Sequence, residues 1–194
     1  MYFKLRDMLF EIKAAKLNFY YSDEADAKGW TNQQPGLFLV IGVDTKENAL
    51  NGEGWAPWLR HNSGIKIDIS HWTELEGKQW IFNNAHDENH NEAGFLGIFE
   101  EEAIKKCRLE IIKRSGRKFT ILWSGIGDVF CGDEYDSDVP FECEFVAEFE
   151  GIGIQQCVAD QTEKGLRETL GKIINLDDFK LVDTKIGLKE FIFK

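Results

Sequence analysis

Between Phe141 and Glu150 the chain alternates almost without interruption. Phe141, Cys143, Phe145, Ala147 and Phe149 fall on one phase, and Glu142, Glu144, Val146, Glu148 and Glu150 on the other. Only an extended strand has a period of two, so the first set predicts a face turned to a core and the second a face turned to water. Carboxylates two residues apart on such a strand stand about 7 Å from one another, forming a ladder without severe repulsion. A chain with this element at its centre is constrained to build a sheet with one apolar side.

The same period recurs elsewhere. Phe10, Ile12 and Ala14 share a phase and Leu17, Phe19 and Tyr21 take the opposite one, which predicts a bulge at Ala14–Ala15. Leu37 to Val43 is apolar on both phases, as a central strand is, and Ile65, Ile67 and Ile69 alternate with polar residues. Cys107 to Lys113 and Lys118 to Ser124 flank Arg114-Ser-Gly-Arg117 and read as a hairpin. Glycines in Trp123-Ser-Gly-Ile-Gly-Asp128 and Gly151-Ile-Gly153 read as bulges or strand exits, since no phosphate-loop or nucleophile-elbow pattern surrounds them.

Helical spacing appears once, at Leu166, Leu170, Ile173 and Ile174. With Asp160 as cap and Glu163 closing a capping box, a helix is expected over about 161–174, supported by the sheet because Gly165 and Gly171 weaken it. Phe179 to Val182 and Leu188 to Lys194 read as short strands, and residues 45–64 and 83–94 as long loops. The expected fold is a single domain over 1–194, α+β and mainly β. It is an antiparallel, strongly twisted sheet or partly open barrel with one C-terminal helix packed on it.

Charge is distributed unevenly. Asp128, Asp133, Glu134, Asp136, Asp138, Glu142, Glu144, Glu148, Glu150, Asp160 and Glu163 all lie between Phe119 and Glu163, a span without lysine or arginine, whereas the rest of the chain balances. With a formal net charge of -11, such a field favours a basic protein partner and disfavours nucleic acid. The opening segment carries charges inside its apolar stretch and lacks a small-residue cleavage site, and no apolar run is long enough for a membrane helix. Cys107, Cys131, Cys143 and Cys157 show no C-x-x-C spacing. These features predict a cytoplasmic protein with reduced thiols, no cofactor and no membrane contact.

The expected partner-binding set is Asp133, Glu134, Tyr135, Asp136, Asp138, Glu142, Glu144 and Glu148, with Tyr135 as aromatic anchor. The same loop offers hard oxygen donors for calcium at Asp133, Asp136 and Asp138, although the glycine and glutamate of an EF-hand loop are missing. A different reading is a small-molecule pocket lined by Trp55 and Trp58, with Trp72, Trp80 and Trp123 filling the core. A metal-dependent hydrolase would draw on His71, His86 and His90, but His86-Asp-Glu-Asn-His90 breaks the zincin pattern. No nucleophile has a base or a motif beside it, so the chain is expected not to be an enzyme. Oligomeric state is open.

One stretch carries a likeness. Phe95-Leu-Gly-Ile-Phe-Glu100, the Arg114–Arg117 hairpin, Phe119-Thr-Ile-Leu-Trp-Ser-Gly125, Asp128-Val-Phe with Glu134-Tyr and Asp138-Val-Pro-Phe141, and Phe145-Val-Ala-Glu-Phe-Glu-Gly151 follow in order. Over residues 95–155 this resembles small bacterial cytoplasmic proteins of polymorphic toxin systems, namely immunity proteins and their uncharacterised relatives. The resemblance implies an inhibitor of a cognate toxin, such as a nuclease with a basic cleft. It assigns no individual residues.

Overall fold

The computed structural model describes residues 1–23, 35–50, 53–61, 63–86, 92–98, 100–129, 137–155 and 158–194, the side chains of Leu50 and Glu53 excepted. Among the described residues fifteen strands and one helix follow one another. They are β1 (Tyr2–Leu5), β2 (Met8–Phe10), β3 (Ile12–Ser22), β4 (Gly36–Thr45), β5 (Asn48–Leu50), β6 (Glu53–Trp55), β7 (Trp58–Arg60) and β8 (Ile65–Ile67). A 3₁₀ turn at Trp72–Leu75 leads into β9 (Gln79–Phe82), β10 (Phe95–Gly97), β11 (Glu101–Ser115), β12 (Lys118–Gly127) and β13 (Val139–Ile154). The helix α1 (Glu163–Leu170), β14 (Phe179–Asp183) and β15 (Lys189–Phe193) complete the fold.

The alternation at 141–150 is the middle of β13, and β13 organises the molecule. Its first part pairs antiparallel with β12 on one edge and β1 on the other. Its last residues pair with β15 and, in parallel, with β3. The exchange of partners falls at the irregularity between Phe149 and Ile152, where a side chain on Gly151 would run into the Phe191 carbonyl. Strand pairing in the order β12-β11-β10-β7-β4-β3-β13 returns to β12, so the bent sheet closes on itself into a ring rather than a regular barrel. Among the described strands only β3 and β13 pair in parallel, so the sheet is mixed but mainly antiparallel, as the sequence predicts.

Core residues come from the inner phases of nearly every strand, with Phe3, Phe19, Phe119, Trp123, Phe145, Phe149, Phe179 and Phe191 fully enclosed. Phe149 is the hub of an aromatic group. Its ring lies parallel to Trp72 at 5.6 Å, 4.6 Å from Phe19, and edge-on to Phe193 and Phe179. That cluster ties β3, β13, β14, β15 and the 3₁₀ turn together. Trp72 and Trp123 are buried and Trp80 packs on the core from a half-exposed position, as a filling role requires.

Local differences from the sequence reading have identifiable causes. The bulge in β3 lies between Ile12 and Ala14. Residues 45–64 hold three short strands, β5, β6 and β7, whose three-residue lengths leave no period to detect. The helix is shorter than predicted and Thr162 caps it, its hydroxyl accepting from the Gly165 amide at 3.1 Å. Asp160 instead accepts from the Thr162 amide and hydroxyl, so it supports the cap. Leu166 and Leu170 bury the helix against the sheet.

Candidate functional site

Antiparallel pairing decides what the carboxylate ladder of β13 faces. Glu142 lies opposite Lys4 of β1 and Ser124 of β12, Glu144 opposite Tyr2 and Leu122, and Glu148 opposite Lys118. Directly opposed side chains on neighbouring strands are within interaction range. Arg117 forms an ion pair with Glu148 and rests over the Phe193 ring. The Tyr2 hydroxyl donates to Glu142, and this bond, with smaller help from burial and nearby charge, pushes the phenol up to about 12. The acids that stand together in the sequence are therefore interleaved with lysines in space. The ladder is a mixed-charge face.

A more concentrated acidic region lies at one end of the sheet. There β12 leads out through Asp128 and β13 begins at Val139, with Ile104, Gly127 and Val139 in register. The Lys105 ammonium sits 2.8 Å from Asp128 and 2.9 Å from Asp138, and the Asp138 amide donates to Asp128 at 3.0 Å. Asp138 holds a left-handed φ of 58°, which turns its amide back toward Asp128. Burial raises the Asp128 carboxyl, but Lys105 and the Asp138 amide outweigh it and hold the group below its ordinary value. The same contacts raise Lys105 above its usual value.

This clamp makes a stem for the intervening segment. The β10–β11 turn brings Glu100, Glu101 and Glu102 to the same end, and the β1–β2 turn brings Arg6 and Asp7. Lys4, Arg6, Asp7, Ser137, Asp138 and Glu142 border an open groove of about 620 Å³ there, floored by Val139–Phe141. Asp133, Glu134, Tyr135 and Asp136, and with them most of the calcium reading, lie outside the described residues.

Because Asp128 is depressed in the folded state, its share of the stem is present at neutral pH and is lost as pH falls through that lowered value. The Lys105 share is complete at neutral pH and is lost only at strongly alkaline pH. Lys105→Met is expected to speed proteolytic nicking between Val129 and Ser137 at pH 7 without changing cleavage elsewhere. Unchanged nicking would show that the clamp does not hold the stem.

The remaining candidates separate. Trp55 belongs to the buried core, whereas the half-exposed Trp58 lies flat on Gly97 with the Arg60 guanidinium 4.6 Å above it and Asp44 holding Arg60. His71 caps the 3₁₀ turn: Nδ1 is bonded to the Thr73 amide and hydroxyl, and Nε2 lies 3.4 Å from Asp178. The backbone of His86 forms an isolated antiparallel β-bridge with Glu92, and His90 lies outside the described residues. Among the described residues no group of three or more His, Cys, Asp or Glu side chains is placed to hold a metal ion. Cys107 and Cys143 are buried thiols whose burial pushes both up, Cys107 to about 12 against a partial opposing contact from Trp123.

Two features escape sequence reading. Lys105 is the counter-ion of the acidic stem, and His61 is enclosed in the core, stacked on Trp123 at 4.7 Å. Neither sits in a motif. No helix among the described residues is long and apolar enough to cross a membrane. No family model, curated protein or solved structure matches this chain.

Proposed function

We propose that this protein is a non-catalytic inhibitor that docks its acidic end on a basic protein partner, as an immunity protein occludes the cleft of a toxin. The Lys105 clamp carries the reading: it fixes both ends of a segment that contains Asp133, Glu134 and Asp136 and no basic residue. At this end of the sheet Asp7, Glu101, Glu102, Asp128, Asp138 and Glu142 stand against Lys4, Arg6 and Lys105. A partner cleft built for phosphate would meet carboxylates held at the end of a rigid sheet, and their field would accelerate encounter. Tyr135 supplies an aromatic anchor of the kind that dominates interfaces. Glu142, Glu144 and Glu148 extend the charge along β13, moderated by Lys4, Lys118 and Arg117.

Two triple variants test this against a basic partner retained from the source lysate. Asp133→Asn/Glu134→Gln/Asp136→Asn is expected to weaken binding at least about 10-fold and to flatten its salt dependence. Glu142→Gln/Glu144→Gln/Glu148→Gln is expected to weaken it less than about threefold, because those charges already have neighbours. Full binding by the loop variant would remove the acidic end from the interface.

A further inference from the structure

Among the described residues, β7 and β10 hold the ring by short ladders, β10 meeting β11 through three register pairs. β7 is the link between β10 and β4. It contributes three residues to its ladder with β4 and three to its ladder with β10. His61 follows directly, its amide donating to the Ile41 carbonyl at 2.9 Å, its side chain 1% exposed. Neither ring nitrogen has a hydrogen-bond partner among the described residues. The ring stacks on Trp123 at an interplanar angle of 10° and lies 6.1 Å from Phe82. An imidazole in such a place can stay only while neutral, because an imidazolium needs two acceptors and finds aromatic faces.

We propose that His61 is an acid-operated catch on the β4–β7–β10 seam, whose protonation expels the imidazole and opens the ring there while β12 and β13 remain paired. Among the described residues, the titratable groups of the packed strands are already engaged or face outward. Glu92 is engaged by the Ser63 amide at 2.8 Å and the Ser63 hydroxyl at 3.2 Å. The Cys107 thiol donates to the Ala93 carbonyl at 3.3 Å. Asp44 is bonded to Arg60, which, like Lys16, is exposed on the outer side of these strands. Burial alone drives the His61 imidazole down to about 3.

The sign follows from linkage. A group depressed in the folded state gives stability that is complete above its unfolded value near 6.5 and is lost as pH falls toward 3. At pH 5 the closed seam is therefore disfavoured roughly 30-fold relative to pH 7.

Hydrogen exchange by mass spectrometry, corrected for the intrinsic pH dependence of exchange, provides the test. From pH 7 to pH 5 the amides of β7 and β10 are expected to lose protection roughly 30-fold, with those of β12–β13 unchanged. His61→Phe, which keeps the stack, is expected to abolish the difference. Uniform loss across the sheet, no loss in β7 and β10, or an identical loss in His61→Phe would each overturn the proposal. If His61→Phe does not fold, the regional pattern in the natural protein decides alone.

Discussion

Gly94→Ala is expected to destabilise the protein by about 3 kcal/mol and to lower its Tm by roughly 10 °C. Gly94 holds a φ of 100°, which a side chain resists, and its neighbours close the remaining space. An added Cβ would lie 2.7 Å from the Trp123 ring and 2.9 Å from the Arg60 carbonyl. The carbonyl is backbone at the β7–β10 ladder and cannot move aside cheaply. Gly116, in the β11–β12 turn, separates the two causes: its φ is 61° but nothing lies within 4 Å of a Cβ there. Gly116→Ala should therefore cost only about 1 kcal/mol. Equal melting temperatures for the two variants would mean that crowding at Trp123 contributes nothing.

The second large effect is expected at Phe149. Truncation to alanine removes a fully enclosed ring touching Phe19, Trp72, Phe179 and Phe193, and should cost about 3–5 kcal/mol. The loss should be felt unequally. β14 and β15 reach the rest of the sheet through four register pairs with β13 and through this aromatic group, so their amides should lose protection first in native-state hydrogen exchange. Phe149→Leu retains most of the volume and is expected to cost about 1.5 kcal/mol or less in urea denaturation. An alanine variant as stable as the leucine one would show that the cluster relaxes into the cavity.

These two positions also show what the sequence discloses and what it conceals. Phe149 is legible, because a half-buried strand writes its inner face at every second residue. The β11–β12 hairpin, β4, β8, β14 and β15 are legible for similar reasons. Gly94 is not, since its role depends on Trp123 and Arg60 arriving beside it from distant strands. The same limit governs the candidate site. Glu142, Glu144 and Glu148 read as one acidic row, but Lys4 and Lys118 come to stand opposite Glu142 and Glu148 only when β1 and β12 pair with β13. Asp138 was readable as an acid in an acidic loop, whereas its engagement by Lys105 was not. His61 sits singly between short strands and leaves no periodic trace at all.

The pairing that closes the ring has a consequence for biosynthesis. Tyr2 and its partner Glu142 are separated by 140 residues, and β3 likewise waits for the far end of β13. At ribosomal rates of about 5–20 residues per second, roughly 7–30 s pass before the first strands can meet that partner. Phe3, Phe10 and Phe19 are committed to a surface not yet made, so the nascent chain must be shielded or must remain loosely collapsed until β13 emerges.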